Sequence, residues 1–141
     1  MRITRPQKLK TSISHRLPLF SYTVQAGFPS PAEDTMERKL NLHQLLIKHP
    51  AATFFVRAQG DSMQNSGIFS GDLLIVDRSV EPKPGMTIVA CITGEFTVKK
   101  LGKINGKFYL IATNPDYKPI LIDDDNNVEI WGVVTHVIHK L

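Results

Sequence analysis

Ser62 lies in the run Gly60-Asp61-Ser62-Met63, and Lys99 lies downstream in Glu95-Phe96-Thr97-Val98-Lys99-Lys100-Leu101. A serine placed just after one strand and a lysine inside a later one can form a two-residue catalytic unit. The lysine, when neutral, takes the hydroxyl proton and leaves an alkoxide-like nucleophile suited to acyl transfer. Such a pair requires neither histidine nor aspartate, so the five scattered histidines need no role. Upstream, Ala26-Gly27 joins two small residues in a proline-containing stretch that could reach such a site. The combination suggests an enzyme whose substrate is its own arm.

Each half has an ordinary explanation when taken alone. Lysines are mostly exposed, and a serine following Gly60-Asp61 suits a turn or a helix cap. An unperturbed lysine, with a pKa of about 10.4, is almost wholly charged at neutral pH. A basic role therefore demands burial, which disfavours the ammonium form. In an extended strand Lys99 and Lys100 point to opposite faces, so one can enter a cleft while the other is solvated. Thr97 projects on the same face as Lys99 and could hydrogen-bond its amine. The glycine ahead of Ser62 lets the chain turn sharply after the run Phe54-Phe55-Val56-Arg57-Ala58-Gln59. Backbone N–H groups at such a turn can form an oxyanion hole.

The elements that must hold these residues read as a β-rich body. Short β-branched and aromatic runs occur at Thr53–Gln59, Leu73–Asp77, Thr87–Ile92, Glu95–Leu101, Lys107–Ala112 and Val128–His139. Gly71-Asp72, Pro84-Gly85, Thr93-Gly94, Asn105-Gly106 and Asn126-Asn127 punctuate them as hairpin turns do. The expected fold is mainly β, a partly open, barrel-like body of short, mostly antiparallel strands with one or two short helices. A helix is expected over residues 41–48, capped by Asn41, with Leu42, Leu45 and Leu46 on one face and Pro50 ending it. Residues 1–34, containing Pro6, Pro18, Pro29 and Pro31, read as a flexible N-terminal arm, and residues 35–141 as the peptidase-like domain. Within the arm, residues 17–24 are apolar enough to lie along a groove or pair with a strand edge.

Composition narrows the class. The apolar content is 42% and the charged content 21%, ordinary for a globular protein. No apolar run approaches the roughly 18 residues of a membrane span, and the basic N-terminus lacks a secretory signal's apolar segment. A single cysteine, Cys91, excludes an internal disulfide and is expected as a buried strand residue, so the cytoplasm is the simplest compartment. The net charge of +4 is uneven: residues 1–16 carry five basic side chains and no acid, leaving 12 basic against 13 acidic elsewhere. The positive arm reads as a solvated tail, and direct sequence-specific nucleic-acid binding is not expected of a near-neutral body. Asp123-Asp124-Asp125 reads as a solvated turn, and His136 and His139 lack partners at metal-ligand spacing, so no metal and no cofactor is expected. Trp131 reads as a core or dimer contact.

The runs Gly27-Phe28-Pro29-Ser30-Pro31-Ala32, Gly60-Asp61-Ser62-Met63, Gly71-Asp72-Leu73-Leu74-Ile75-Val76-Asp77 and Gly94–Leu101, with the terminal Trp131–Ile138, resemble the UmuD branch of the LexA-type self-cleaving serine-lysine peptidases. The resemblance covers about residues 17–139. It implies Ser62 as nucleophile, Lys99 as general base, Thr97 beside the lysine, backbone amides at Asp61 and Ser62 as the oxyanion hole, and Ala26-Gly27 as the scissile bond. Residues 1–16 match weakly, and alanine precedes the cut where that branch can carry cysteine. The resemblance further implies a homodimer, a RecA filament on single-stranded DNA as activator of cleavage, and a shortened product that joins the catalytic subunit of an error-prone DNA polymerase in lesion bypass during the SOS response. The rival readings are a signal peptidase, disfavoured by the lack of an anchoring span and by Gln64-Asn65 where that motif carries proline; a repressor, disfavoured by only 26 residues before the bond; and a non-cleaving protein-binding module of the same fold.

Overall fold

The computed structural model describes residues 2–3, 7–8, 15–20, 24, 26–27 and 36–141. Backbone contacts divide the chain into two compact units, one of residues 1–9 and 49–141, the other of residues 10–48.

The larger unit is a curled antiparallel sheet. Its strands are β1 (Arg2–Ile3), β2 (Gln7–Lys8), β5 (Thr53–Gln59), β6 (Leu73–Asp77), β7 (Thr87–Ile92), β8 (Glu95–Ile104), β9 (Lys107–Ile111), β10 (Ile120–Leu121) and β11 (Val128–Ile138). They run in the order β1-β5-β6-β11-β7-β8-β9-β10, with β2 also on β5. Long β11 pairs with β6 over residues 133–138 and with β7 over residues 128–133. Its register shifts between Ile130 and Gly132 and again between Val134 and His136. Extra residues of this kind bend a strand, and here they let one strand serve two parts of the curled sheet. The architecture is the mainly β, partly open one expected, with β8 running past its expected end at Leu101 to Ile104.

The tight turns explain why the hairpins form where they do. Asn105 and Gly106 both adopt positive φ between β8 and β9, the pattern that two-residue hairpin loops favour. The core has two parts. Val56, Ala58, Met63, Ile68, Leu74, Val76, Val89 and Val98 form one, with Phe96 and Trp131 against it. Ile88, Ala90, Leu101, Leu110 and Val133 form the other. Trp131 meets Phe54 and Phe96 edge to face, with the Arg78 guanidinium 4.6 Å from the ring centroid. Cys91, expected to be buried, is only half-buried, because it lies one position from the end of β7 beyond the packed centre.

Residues 1–16, expected as a solvated tail, contribute β1 and β2. Arg2 is in register with Gln59 of β5 and also with Thr97 of β8, and Gln7 and Lys8 oppose Phe55 and Phe54. The physical cause is the edge itself: unpaired N–H and C=O groups on β5 and β8 recruit any extended segment able to pair with them.

In the smaller unit, β3 (Arg16–Phe20) pairs antiparallel with β4 (Met36–Asn41), and α1 (Leu42–Leu46) follows. The expected Asn41 cap is present: its side chain accepts the Gln44 N–H at 3.3 Å. The helix is shorter than expected, and Leu42 and Leu45 are exposed.

Asp77, buried at the end of β6, accepts from the Ser79 N–H at 2.8 Å and the Ser79 hydroxyl at 2.6 Å, and lies 2.6 Å from His49 Nδ1. Burial acts to raise its pKa, but the hydrogen bonds from Ser79 and His49 outweigh it and hold the carboxyl below its ordinary value. Its stabilising effect is therefore present above the ordinary aspartate range and is lost as pH falls through the folded value. Asp77→Ala leaves the Ser79 and His49 donors without their acceptor. It is expected to lower unfolding free energy by about 1–3 kcal/mol in denaturant melts at pH 7, with the deficit shrinking in acid.

Candidate active site

Ser62 and Lys99 come together. Lys99 Nζ lies 3.1 Å from Ser62 Oγ, and both residues are buried, at 7% and 0% relative exposure. The serine is positioned by the end of β5. Gly60 takes φ 105°, a conformation that side-chain-bearing residues rarely adopt, and turns the chain out of the strand. Asp61 and Ser62 follow, and buried Met63 plugs the turn into the core while its carbonyl accepts the Ser66 N–H at 2.9 Å. The lysine is positioned by β8, where it pairs with Ile88 of β7. Its neighbours in sequence differ in environment: Val98 is fully buried, whereas Lys100 is only half-buried.

Burial pushes the Lys99 amine below its ordinary value. Desolvation penalises the ammonium and leaves the neutral amine untouched, so the environment favours the form that can accept a proton. At 3.1 Å the protonated amine donates to the serine oxygen, and the neutral amine accepts from the serine hydroxyl.

Thr97 stands two residues before Lys99 on the same face of β8, half-buried, opposite Ala90 and Arg2. Asp61 flanks the serine on the surface, and its carboxylate accepts from the Tyr117 hydroxyl at 3.0 Å. That hydrogen bond first, and the Asp61 charge second, push the Tyr117 phenol up, so it remains a donor. Ala26 and Gly27 are exposed bend residues of the smaller unit, and Val24 beside them is exposed as well.

One part of the site escaped sequence reasoning. The segment after β9 fastens the serine turn from outside: the Asn114 N–H donates to the Ser62 carbonyl at 2.9 Å, and Asn65 Nδ2 donates to the Thr113 carbonyl at 3.0 Å. Buried Asn114 in turn accepts the Asp116 N–H through Oδ1 at 3.1 Å. The Tyr117 ring centroid lies 5.6 Å from Lys99 Nζ, so the same segment covers the amine. Asn114-Pro115-Asp116 has turn composition, but nothing local says that it folds over Ser62. Among the described residues no cluster of histidine, cysteine and carboxylate groups could hold a metal ion, and no helix is long and apolar enough to cross a membrane.

Residues 18–135 match the family described as peptidase S24-like. The chain belongs to the S24-like peptidase family. It is 46% identical over 123 residues to protein MucA of Escherichia coli, covering 86% of this chain and 84% of that one. It is 44% identical over 142 residues to protein ImpA of Salmonella typhimurium, covering 96% and 92%. The LexA repressor of Shewanella sp. (strain W3-18-1) is 36% identical over 139 residues, covering 98% of this chain and 66% of the repressor. MucA and ImpA are UmuD homologues, so this S24-like peptidase is UmuD-like, and the family is one of self-cleaving serine peptidases.

Proposed function

We propose that the chain is a self-cleaving serine-lysine endopeptidase that cuts its own Ala26-Gly27 bond. The observation that carries this reading is a buried lysine amine 3.1 Å from a buried serine hydroxyl, with desolvation favouring the neutral amine. In the reaction, Lys99 takes the Ser62 proton as Oγ attacks the Ala26 carbonyl carbon, and the new C–O bond gives a tetrahedral oxyanion held by backbone amides at Asp61 and Ser62. The intermediate collapses, the C–N bond to Gly27 breaks, and Lys99 returns the proton to the departing amine. Water, deprotonated by the same amine, then attacks the acyl ester and regenerates Ser62. Thr97 supports the lysine. Small side chains at Ala26 and Gly27 suit a narrow cleft, and the covalent tether replaces substrate affinity with effective concentration.

The processed chain, by its likeness to UmuD-type relatives, acts as a homodimeric accessory subunit of an error-prone translesion DNA polymerase in the cytoplasmic SOS response. A RecA filament on single-stranded DNA promotes cleavage by shifting the population towards the docked arm. A pull-down with the polymerase's catalytic subunit tests this role, using the intact chain and the form beginning at Gly27. The shortened form is expected to be retained in clear excess over the intact one. Equal failure of both removes the polymerase assignment while leaving the peptidase reading standing.

A further inference from the structure

Within the smaller unit, a cavity of about 250 Å³ is bounded by Arg16 of β3, Arg38, Lys39 and Asn41 of β4, and Gln44 and Lys48 at and beyond α1. Four of these residues carry a positive charge, and among the described residues no carboxylate lines the cavity. Like charges gathered round one hollow raise its potential and attract a counter-anion.

A second observation is independent of charge. Asn41 is 6% exposed, and its Oδ1 is committed to capping α1 through the Gln44 N–H. That bond fixes which way the amide points. The other end, Nδ2, is buried and has no hydrogen-bond acceptor among the described residues. A buried donor left unpaired is unfavourable, and it stands in the wall of a cavity whose remaining polar groups are also mostly donors. Lys48 spends one N–H on the Gln44 carbonyl at 3.3 Å, leaving others available.

We propose that this cavity is an oxyanion site for a phosphoryl group. A carboxylate offers two oxygens, whereas two guanidinium forks, two ammonium groups and an amide supply many more donors than it can accept from. A phosphoryl group presents at least three acceptor oxygens to guanidinium forks, and its charge matches the cluster better. The shared chemistry has two sources, a free phosphate or the phosphodiester backbone of a nucleic acid. The site makes no use of Ser62 or Lys99 and stands whether or not the chain cleaves itself.

The test uses the full chain carrying Ser62→Ala, so that it stays intact, with the Asn41 side-chain amide followed by NMR at fixed ionic strength. Inorganic phosphate is expected to shift that resonance saturably, and chloride is not. Arg38→Ala with Lys39→Ala is expected to weaken phosphate binding by about tenfold or more. Asn41→Ser retains an oxygen to cap α1 but lacks the amide donor, and is expected to weaken binding by about threefold or more, read by calorimetry, with the unfolding midpoint little changed. Tighter binding of an oligothymidylate than of inorganic phosphate supports the site with a nucleic-acid backbone as its source. Binding no tighter supports it with a free phosphate group as its source. The proposal is overturned by the absence of a saturable phosphate shift, by acetate binding as tightly as phosphate, or by affinities indifferent to all these substitutions.

Discussion

A Ser62→Ala chain incubated at mildly alkaline pH is expected to yield no fragment beginning at Gly27, and Lys99→Met is expected to behave the same way. The loss should reach at least about a thousandfold in the first-order rate of arm release, measured by mass spectrometry of the products. Alanine removes the atom proposed to attack, so no alternative protonation state can compensate. Methionine keeps much of the lysine's volume but has no basic nitrogen to take the hydroxyl proton. In the proposed mechanism the two groups act as one unit, so the double variant should be no slower than either single variant. Folding is a separate readout. The depressed Lys99 pKa means that its contribution to stability is fully present only above the ordinary lysine value of 10.5, and is lost as pH falls through the lowered folded value. At pH 7 the amine is therefore a burden on the native state, and Lys99→Met should unfold at a denaturant midpoint no lower than the parent. Cleavage of either variant at the parental rate would remove Ser62 and Lys99 from the reaction.

The rate of self-cleavage should climb with pH by about tenfold per unit below the folded pKa of Lys99, before levelling off above it. The sign follows from the base. Protonated Lys99 holds Ser62 but cannot accept its proton, and the neutral fraction grows tenfold per unit while the pH is below the folded pKa. Burial moves that plateau to lower pH than an exposed lysine would give. A profile without that rise at any pH where the chain stays folded, with docking of the arm shown not to limit the rate, would mean that some group other than Lys99 is the base.

The site and the body around it were legible in the sequence to different depths. The strand positions followed from β-branched runs and from Asn-Gly and Gly-Asp turns, and those signals are local, which is why β5, β6, β7 and β9 came out within one residue. Ser62 and Lys99 could be nominated because one follows a glycine turn and the other sits within a strand. What the sequence could not give was the contact of Asn114 and Tyr117 with that turn, because it depends on how β9 and β10 are placed and carries no periodic signature. The pairing of Arg2–Ile3 with β5 and β8 was missed for a related reason. Two residues are too few for any alternation to show, and their conformation is set by the vacant edges they meet.

That pairing has a consequence for the life of the molecule after a cut at Ala26-Gly27. While the chain is whole, a covalent leash keeps β1 and β2 at high effective concentration beside the sheet margin. Once severed, residues 1–26 become a separate peptide whose grip on β5 and β8 depends on dilution. The sheet margin beside the serine and lysine then becomes open to whichever strand is most abundant nearby, including one from another polypeptide.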